Sequence, residues 1–422
     1  MKYAVITFGC RVNQADSLGF EEELRAAGAV DAPPDAADLI VVNTCSVTAT
    51  ADQGARQTIR RVARDNPSAK IVVTGCYATR RPDELAALPN VIRVVKNDDK
   101  PRLITLSCVG AELARPVGDG PCGAAIEPGV AGRTAYTLRV QTGCAEPCSY
   151  CIIPSTRGLP RSVSIDGVLR DVGRAVGAGF KEIALTGVHL GSYGRDLTPR
   201  ATLVDLLRSL NHWSEGLSGE PSVLFRVSSL EPMDCTREIV GLVAATDRFA
   251  PHFHLPLQHA SNRILAAMRR PYTIDRYATL VDDIRSRIPH ASIGSDVIVG
   301  FPGETDDDFE QLASYLERSP LTHVHVFPYS DRPGTDASKM SDKVPGAVVR
   351  ERGARVREIG HALTRRFRAS QLGTVHRALT LDDGSVAVTG NYLKASIPIG
   401  RSRNEWVTLR LTSSEPLTAE LL

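Results

Sequence analysis

Residues 136–151 read YTLRVQTGCAEPCSYC, a short strand pattern that runs into Cys144, Cys148 and Cys151 at offsets of four and three residues. Three thiolates so spaced can wrap three corners of a cubane iron–sulfur cluster, whose four irons ordinarily take four thiolates. With only three nearby, one iron stays open to a ligand, as a catalytic metal site keeps one position open. A zinc knuckle is the rival reading. Such sites pair two short Cys/His hairpins, and no second C-x2-C follows.

Downstream of this loop, strand and helix patterns alternate. Residues 164–178, 202–210, 236–246, 262–269, 274–288 and 305–318 have helical periodicity. Residues 182–186, 224–228, 252–257, 292–299 and 323–327 are strand-like, which makes about six β/α units with 136–141. In β/α barrels the functional groups sit at the carboxyl ends of strands, where the cysteine loop stands.

Upstream, residues 3–8 (YAVITF), 39–43 (LIVVN) and 70–74 (KIVVT) are short β-branched runs that suit buried parallel strands. Each ends beside a cysteine: Cys10, Cys45 and Cys76. Helical patterns at 17–27, 50–64 and 82–88 separate them. This alternation predicts a doubly wound parallel sheet, whose ligands lie beyond the strands' carboxyl ends. The three thiols therefore converge on one sheet edge, as a second cluster site. Buried structural cysteines are the rival reading, but such residues have no reason to choose the same strand end three times.

The rest of the composition sets bounds. A chain of 422 residues with 42% hydrophobic and 23% charged residues suits two to four soluble domains. Its net charge of +2 leaves any basic surface to be local. Nine cysteines, an odd number in clusters, speak against a disulfide framework and for a reducing, cytoplasmic setting. No apolar run has the length of a membrane span, and the first residues are too short a stretch for a signal peptide.

C-x3-C-x2-C with an aromatic, Tyr150, before the last cysteine resembles the signature of radical S-adenosylmethionine (SAM) enzymes. FGCRVNQADS at 8–17, NTCSVTATAD at 43–52, RQTIRR at 56–61 and TGCYA at 74–78 resemble the amino-terminal domain of the methylthiotransferases in that superfamily. The resemblance implies two [4Fe–4S] clusters, one on Cys144, Cys148 and Cys151 and an auxiliary one on Cys10, Cys45 and Cys76, with Asn13 and Asn43 beside the latter. It implies that SAM chelates the open iron and is cleaved to methionine and a 5′-deoxyadenosyl radical. A second SAM methylates the sulfur that is delivered. SAM contacts implied by matching strand-end motifs are Tyr150, Thr186, Gly187, Ser228, Glu231 and Gly300, while no catalytic acid or base is assigned. Glu304 is read as a first-turn helix acid or a ligand. His189 reads as a wall residue, His259 invites a catalytic reading without carrying one, and Cys108, Cys122 and Cys235 read as structural or incidental.

The expected architecture is α/β: a doubly wound parallel-sheet domain over 1–112, a linker over 113–132, a partial (β/α)6 radical SAM barrel over 133–368, and a small all-β barrel over 369–422 that resembles the TRAM RNA-binding domain. Residues 350–368 form an expected helix with seven arginines against two glutamates, a stripe that suits a phosphate backbone or a solvated face. The TRAM-like segment is itself neutral, with Arg377, Lys394, Arg401, Arg403 and Arg410 balanced by Asp382, Asp383, Glu405, Glu415 and Glu420.

FGCRVNQADS and TGVHLGSYGRDL at 186–197 resemble the branch that modifies C2 of N6-threonylcarbamoyladenosine beside the tRNA anticodon, at position 37. QHAS at 258–261 resembles the branch that modifies an aspartate of a ribosomal protein, and IPSTRG at 153–158 lacks the tyrosine usual in the first branch. The isopentenyladenosine branch is a further alternative, and a non-catalytic iron–sulfur RNA-binding sensor a remote one. The resemblance implies a tRNA anticodon stem-loop as partner, an electron donor such as flavodoxin or ferredoxin, a separate sulfur source, a monomer, and no membrane.

Overall fold

The computed structural model describes residues 1–106, 126–216 and 223–422, so Cys108 and Cys122 lie outside the described residues. The amino-terminal unit runs β1 (Lys2–Thr7), α1 (Arg11–Ala26), β2 (Val30–Asp31), β3 (Leu39–Thr44), α2 (Ala49–Asp65), β4 (Lys70–Gly75), α3 (Cys76–Arg80), α4 (Pro82–Ala86), β5 (Val91–Val95) and α5 (Leu103–Leu106). Its sheet is all-parallel in the order β2-β1-β3-β4-β5. Successive side chains of a strand point to opposite faces. Leu39 and Val41 thus pack with Phe20, Leu24 and Leu103, while Ile40 and Val42 pack with Ile59 and Leu85. Helices cover both faces, which is why these strands are apolar at every position and not at alternate ones.

The second unit holds β6 (Tyr136–Arg139), β7 (Gln141–Thr142), α6 (Ile153–Arg157), β8 (Arg161–Ser162), α7 (Ile165–Gly177), β9 (Glu182–Thr186), α8 (Leu203–Glu215), β10 (Leu224–Val227), α9 (Arg237–Ala245), β11 (His252–His254), α10 (Asn262–Ala267), α11 (Ile274–Arg287), β12 (Ser292–Val299), α12 (Asp306–Arg318), β13 (His323–Pro328) and α13 (Gly346–Ser370). Two parallel ladders, β6-β9-β10 and β11-β12-β13, join through a parallel bridge between Phe225 and Phe249. Six parallel strands thus form an open arc, with one continuous apolar core between strands and helices. Polar caps set the helix starts: Thr202 with Asp205 and Thr305 with Asp308 form capping boxes.

Last, β14 (Val375–Leu381), β15 (Val386–Thr389), β16 (Lys394–Ser396), β17 (Trp406–Ser414) and β18 (Leu417–Leu421) close a barrel in the order β14-β15-β16-β18-β17. Alternate residues such as Ala378, Ala387, Ala395 and Leu409 fill it, and Phe367 of α13 packs into the same core. The small barrel is fastened to the large one by Arg226. Its guanidinium, fully buried, forks onto Glu182 at 2.8 and 3.2 Å, donates to the Gly390 carbonyl at 2.8 Å, and lies over the Tyr392 ring at 4.7 Å. Among the described residues no helix is long and apolar enough to cross a membrane.

Several elements depart from expectation. Helix α1 starts at Arg11, earlier than the apolar periodicity, because extended Cys10 serves as its N-cap. Strands β2, β5 and β18 are additions to the expected set; β2 and β5 are the two edges of the first sheet, where burial leaves the weakest pattern. Glu304 is not a first-turn acid, since Thr305 is the N-cap of α12. Its buried carboxylate accepts from the backbone N–H of Gly300 at 2.8 Å and from Arg352 at 2.6 Å, closing the turn after β12.

Candidate functional site

Cys10, Cys45 and Cys76 follow the neighbouring strands β1, β3 and β4 at their carboxyl ends. Gly9 and Gly75 make this approach possible. Both have positive φ, 94° and 103°. A Cβ on Gly9 would meet Cys45 Cβ at 2.5 Å, and one on Gly75 the Thr44 carbonyl at 2.1 Å. Cys45 Sγ accepts the Val47 N–H at 3.5 Å, and Cys76 Sγ accepts Asn97 Nδ2 at 3.6 Å. Burial pushes the Cys45 thiol up to about 11, and the neighbouring Cys10 and Cys76 add to the rise. Asn13 and Asn43 lie directly behind: Asn13 Nδ2 donates to the Phe8 and Thr44 carbonyls, and Asn43 Nδ2 to the Asn13 carbonyl.

The second triplet lies in the loop after β7. Its Cys144 N–H bonds the Gly158 carbonyl at 3.0 Å, and its Ser149 N–H bonds the Met268 carbonyl at 3.2 Å. Burial pushes Cys151 up to about 12, with Cys148 and Cys144 adding to it. Arg270 donates to Cys148 Sγ at 3.2 Å while paired to Glu231. His189 Nε2 stands 2.9 Å from Asp234 Oδ2. Burial would lower the His189 pKa, but Asp234 and the Cys144 thiol raise it to about 10.

The donor sets can be tested against a single ion. One zinc at Zn–S distances of about 2.3 Å would hold thiolates about 3.8 Å apart. Among the described residues neither triplet brings three ligand atoms within 4.8 Å of one another. Among the described residues seven thiols are free, and the six in two spread triplets suit the corners of clusters. Deprotonating buried thiols needs a compensating positive charge, which a bound metal supplies.

One residue that sequence reasoning missed lies between the triplets. Arg157, the last residue of the short helix after Cys151, is buried against the amino-terminal unit. It donates to Asn13 Oδ1 at 2.5 Å and to Asp16 Oδ2 at 3.3 Å. Burial would lower its pKa, but the Cys76 thiol and Asp16 raise it. Asp16 also pairs with Lys100 and Arg139, each at 2.6 Å. The two units are further tied by Asp52 to Arg332 at 2.9 Å and by Asn97 Nδ2 to the Thr156 carbonyl at 2.8 Å. Arg157 thus carries a buried guanidinium from the helix after Cys151 to the Cys76 thiol and Asp16 of the first unit.

A cavity of about 860 Å³ opens where the three units meet. Cys10 and Arg11 line it from the first unit, Thr186, Gly187 and Ser228 from the β/α barrel, and Tyr392 and Lys394 from the small barrel. A smaller cavity of about 200 Å³ adjoins Tyr150 and Cys151. Glu231 and Gly300, also expected at the site, line neither: Glu231 holds Arg270 and Gly300 is bonded to Glu304. His259 is fully buried, with Nδ1 accepting from Ser261 N–H at 3.0 Å, and Cys235 is buried in the core. Sequence reasoning also missed the histidines at 252, 254, 323 and 325, which line the large cavity with Asp296. The signal was present, as His-Phe-His and His-Val-His alternate with strand period.

The arginine helix α13 is less free than its sequence implies. Arg352 is buried against Glu304 and Asp306, Arg355 pairs with Glu310, and Arg366 donates to the Ser319 carbonyl. Arg350, Arg357 and Arg365 stay exposed, and Arg368 lines the cavity.

A family model described as the radical SAM superfamily matches residues 138–316, and one described as an uncharacterised protein family, UPF0004, matches 2–96. Threonylcarbamoyladenosine tRNA methylthiotransferase MtaB of Aquifex aeolicus is 37% identical over 401 residues, covering 93% of this chain and 96% of that one. The protein of the same name from Bacillus subtilis is 36% identical, covering 86% and 81%. A tRNA-2-methylthio-N(6)-dimethylallyladenosine synthase of Carboxydothermus hydrogenoformans is 32% identical, covering 89% and 87%. Among solved structures, the radical SAM methyltransferase TsrM from Kitasatospora setae superposes with a TM-score of 0.58 at 15% identity, over 80% of this chain and 74% of that one, a likeness of fold.

Proposed function

The chain belongs to the radical SAM methylthiotransferases, and we propose that it transfers a methylthio group to C2 of N6-threonylcarbamoyladenosine at tRNA position 37. The observation that carries this substrate is the lining of the large cavity. Arg11, Arg368, Lys394 and four histidines face it from all three units. The threonylcarbamoyl substituent carries a carboxylate, a hydroxyl and a urea, and charged or polar walls match it. An isopentenyl group would leave those polar groups unpaired in a closed site, which is costly.

In our reading Cys144, Cys148 and Cys151 would hold a cluster that supplies the electron for SAM cleavage, and Cys10, Cys45 and Cys76 would hold an auxiliary cluster that supplies the site of sulfur transfer. Radical chemistry suits the target, because an aromatic C2–H is not acidic enough for side-chain general bases near neutral pH. The chain's own groups prepare the two sites. Arg270 holds a positive charge on Cys148 and His189 a proton beside Cys144. Arg157 sets the β/α barrel's cysteine loop against Cys76, so the two sites share one rigid wall. Tyr150 and Ile298 help to close the smaller cavity, where SAM binds in this reading. Thr186, Gly187 and Ser228 then face the adenosine-bearing cavity. The proposal includes a cytoplasmic monomer, a flavodoxin- or ferredoxin-type electron donor and a separate sulfur source.

The test is anaerobic turnover with reductant and SAM on matched anticodon stem-loops. One carries threonylcarbamoyladenosine and the other isopentenyladenosine, with nucleosides read by mass spectrometry. Methylthio product on the first alone is expected. Product on the second alone would overturn the substrate assignment, and absence of 5′-deoxyadenosine in both would overturn the enzyme reading.

A further inference from the structure

Three neighbouring strands of the β/α barrel place His254, Asp296 and His325 side by side on the large cavity, and Asp296 also reaches the smaller one beside Cys151. One ligand atom from each lies within 4.8 Å of the others, and among the described residues no other group of His, Cys, Asp or Glu does this. His325 Nδ1 is 3.0 Å from Asp296 Oδ1. His254 Nε2, itself buried, stands 3.1 Å from the same oxygen, so both imidazoles converge on one carboxylate. Its other nitrogen, Nδ1, lies 3.1 Å from Ser229 Oγ.

These features match what a metal requires. With a cation bound, donation from Nδ1–H to Ser229 Oγ would leave the Nε2 lone pair for the metal, the usual support behind a ligating histidine. His323 is adjacent but tied to Thr322, 3.0 Å from its Nδ1 to Oγ1, and stays outside the triad. Two imidazoles and one carboxylate with the cavity on the fourth side are the ligands of an open zinc site.

We propose that His254, Asp296 and His325 form a third metal centre, a zinc site with its open position toward the cavity. Imidazole and carboxylate donors select a divalent ion of this borderline class, whereas the thiolates select iron–sulfur clusters. The open position would take water, or the carboxylate of a substrate if the proposed function holds. Zinc binding itself does not depend on that function, so the two stand or fall separately.

The experiment loads zinc into the protein with its cysteine clusters assembled, removes excess by gel filtration, and measures bound zinc and its K-edge X-ray absorption. The expected result is stoichiometric zinc with nitrogen and oxygen ligands at about 2.0–2.2 Å. Ser229→Ala should weaken zinc binding about 10–100-fold, and Asp296→Asn or His254→Gln more than that. Iron content and circular dichroism should stay unchanged in all variants. Should Asp296→Asn fail to fold, the more exposed His325→Gln serves in its place. No retained zinc, equal retention in these variants, or sulfur among the zinc ligands would each overturn the proposal.

Discussion

Replacing Asp16 with asparagine tests whether the wall between the two thiol sites is held by charge. The carboxylate is nearly inaccessible and is the shared anion for Lys100, Arg139 and Arg157. Lys100 and Arg157 are themselves buried, so the substitution strands two cations in low dielectric. Removing one partner of a buried ion pair costs about 3–5 kcal/mol. The titration of Asp16 gives a similar scale. Burial opposes ionisation but the three cations win, and a fall from 3.8 to about 2 corresponds to roughly 2.5 kcal/mol. Because the folded pKa is depressed, that contribution is complete above about pH 4 and is lost as pH falls toward 2. Hydrogen exchange by mass spectrometry is the suitable assay, since a multi-domain cluster protein has no single unfolding free energy. Amides of α1 and of residues 97–106 should exchange at least about 100-fold faster in Asp16→Asn, the equivalent of about 3 kcal/mol. A second change, Lys100→Met, should recover part of the loss. Exchange within about threefold of the parent, the small effect of a surface substitution that breaks no buried network, would refute the reasoning.

Cys148→Ala should abolish SAM cleavage, whereas Cys45→Ala should keep cleavage and lose thiomethylation; 5′-deoxyadenosine and product assays separate the two. Arg270→Leu removes a cationic donor from Cys148 Sγ, so the cluster potential should shift to more negative values by potentiometric titration, with slower SAM cleavage. Arg365→Glu with Arg368→Glu should weaken tRNA binding and reduce its salt slope by about one per lost phosphate contact, as read by filter binding. Arg366→Glu should do less, because Arg366 already donates to the Ser319 carbonyl.

The parts of this site that were legible in the sequence are those where chemistry is local. Cys144, Cys148 and Cys151 share one loop, and the β-branched runs before Cys10, Cys45 and Cys76 place those thiols at strand ends. Arg157 was illegible because its partners, Asn13 and Asp16, are more than 140 positions away in sequence. Glu304 shows a different limit. Acid before a helix reads as dipole chemistry, yet this one is drawn into the turn by two backbone N–H groups and Arg352. The arginine count of α13 misled for the converse reason: charge read from composition includes side chains that fold inward, such as Arg352.

Arg226 has a consequence for how such an enzyme can change. By gripping Gly390 and lying under Tyr392, it makes the small barrel a wall of the chamber as well as a candidate surface for RNA. Exchanging that module for another with greater grip on nucleic acid would also remove Tyr392 and Lys394 from the chamber wall. On the proposed function, grip on the tRNA body and shape of the chamber are therefore coupled, and selection on either reaches the other through one guanidinium.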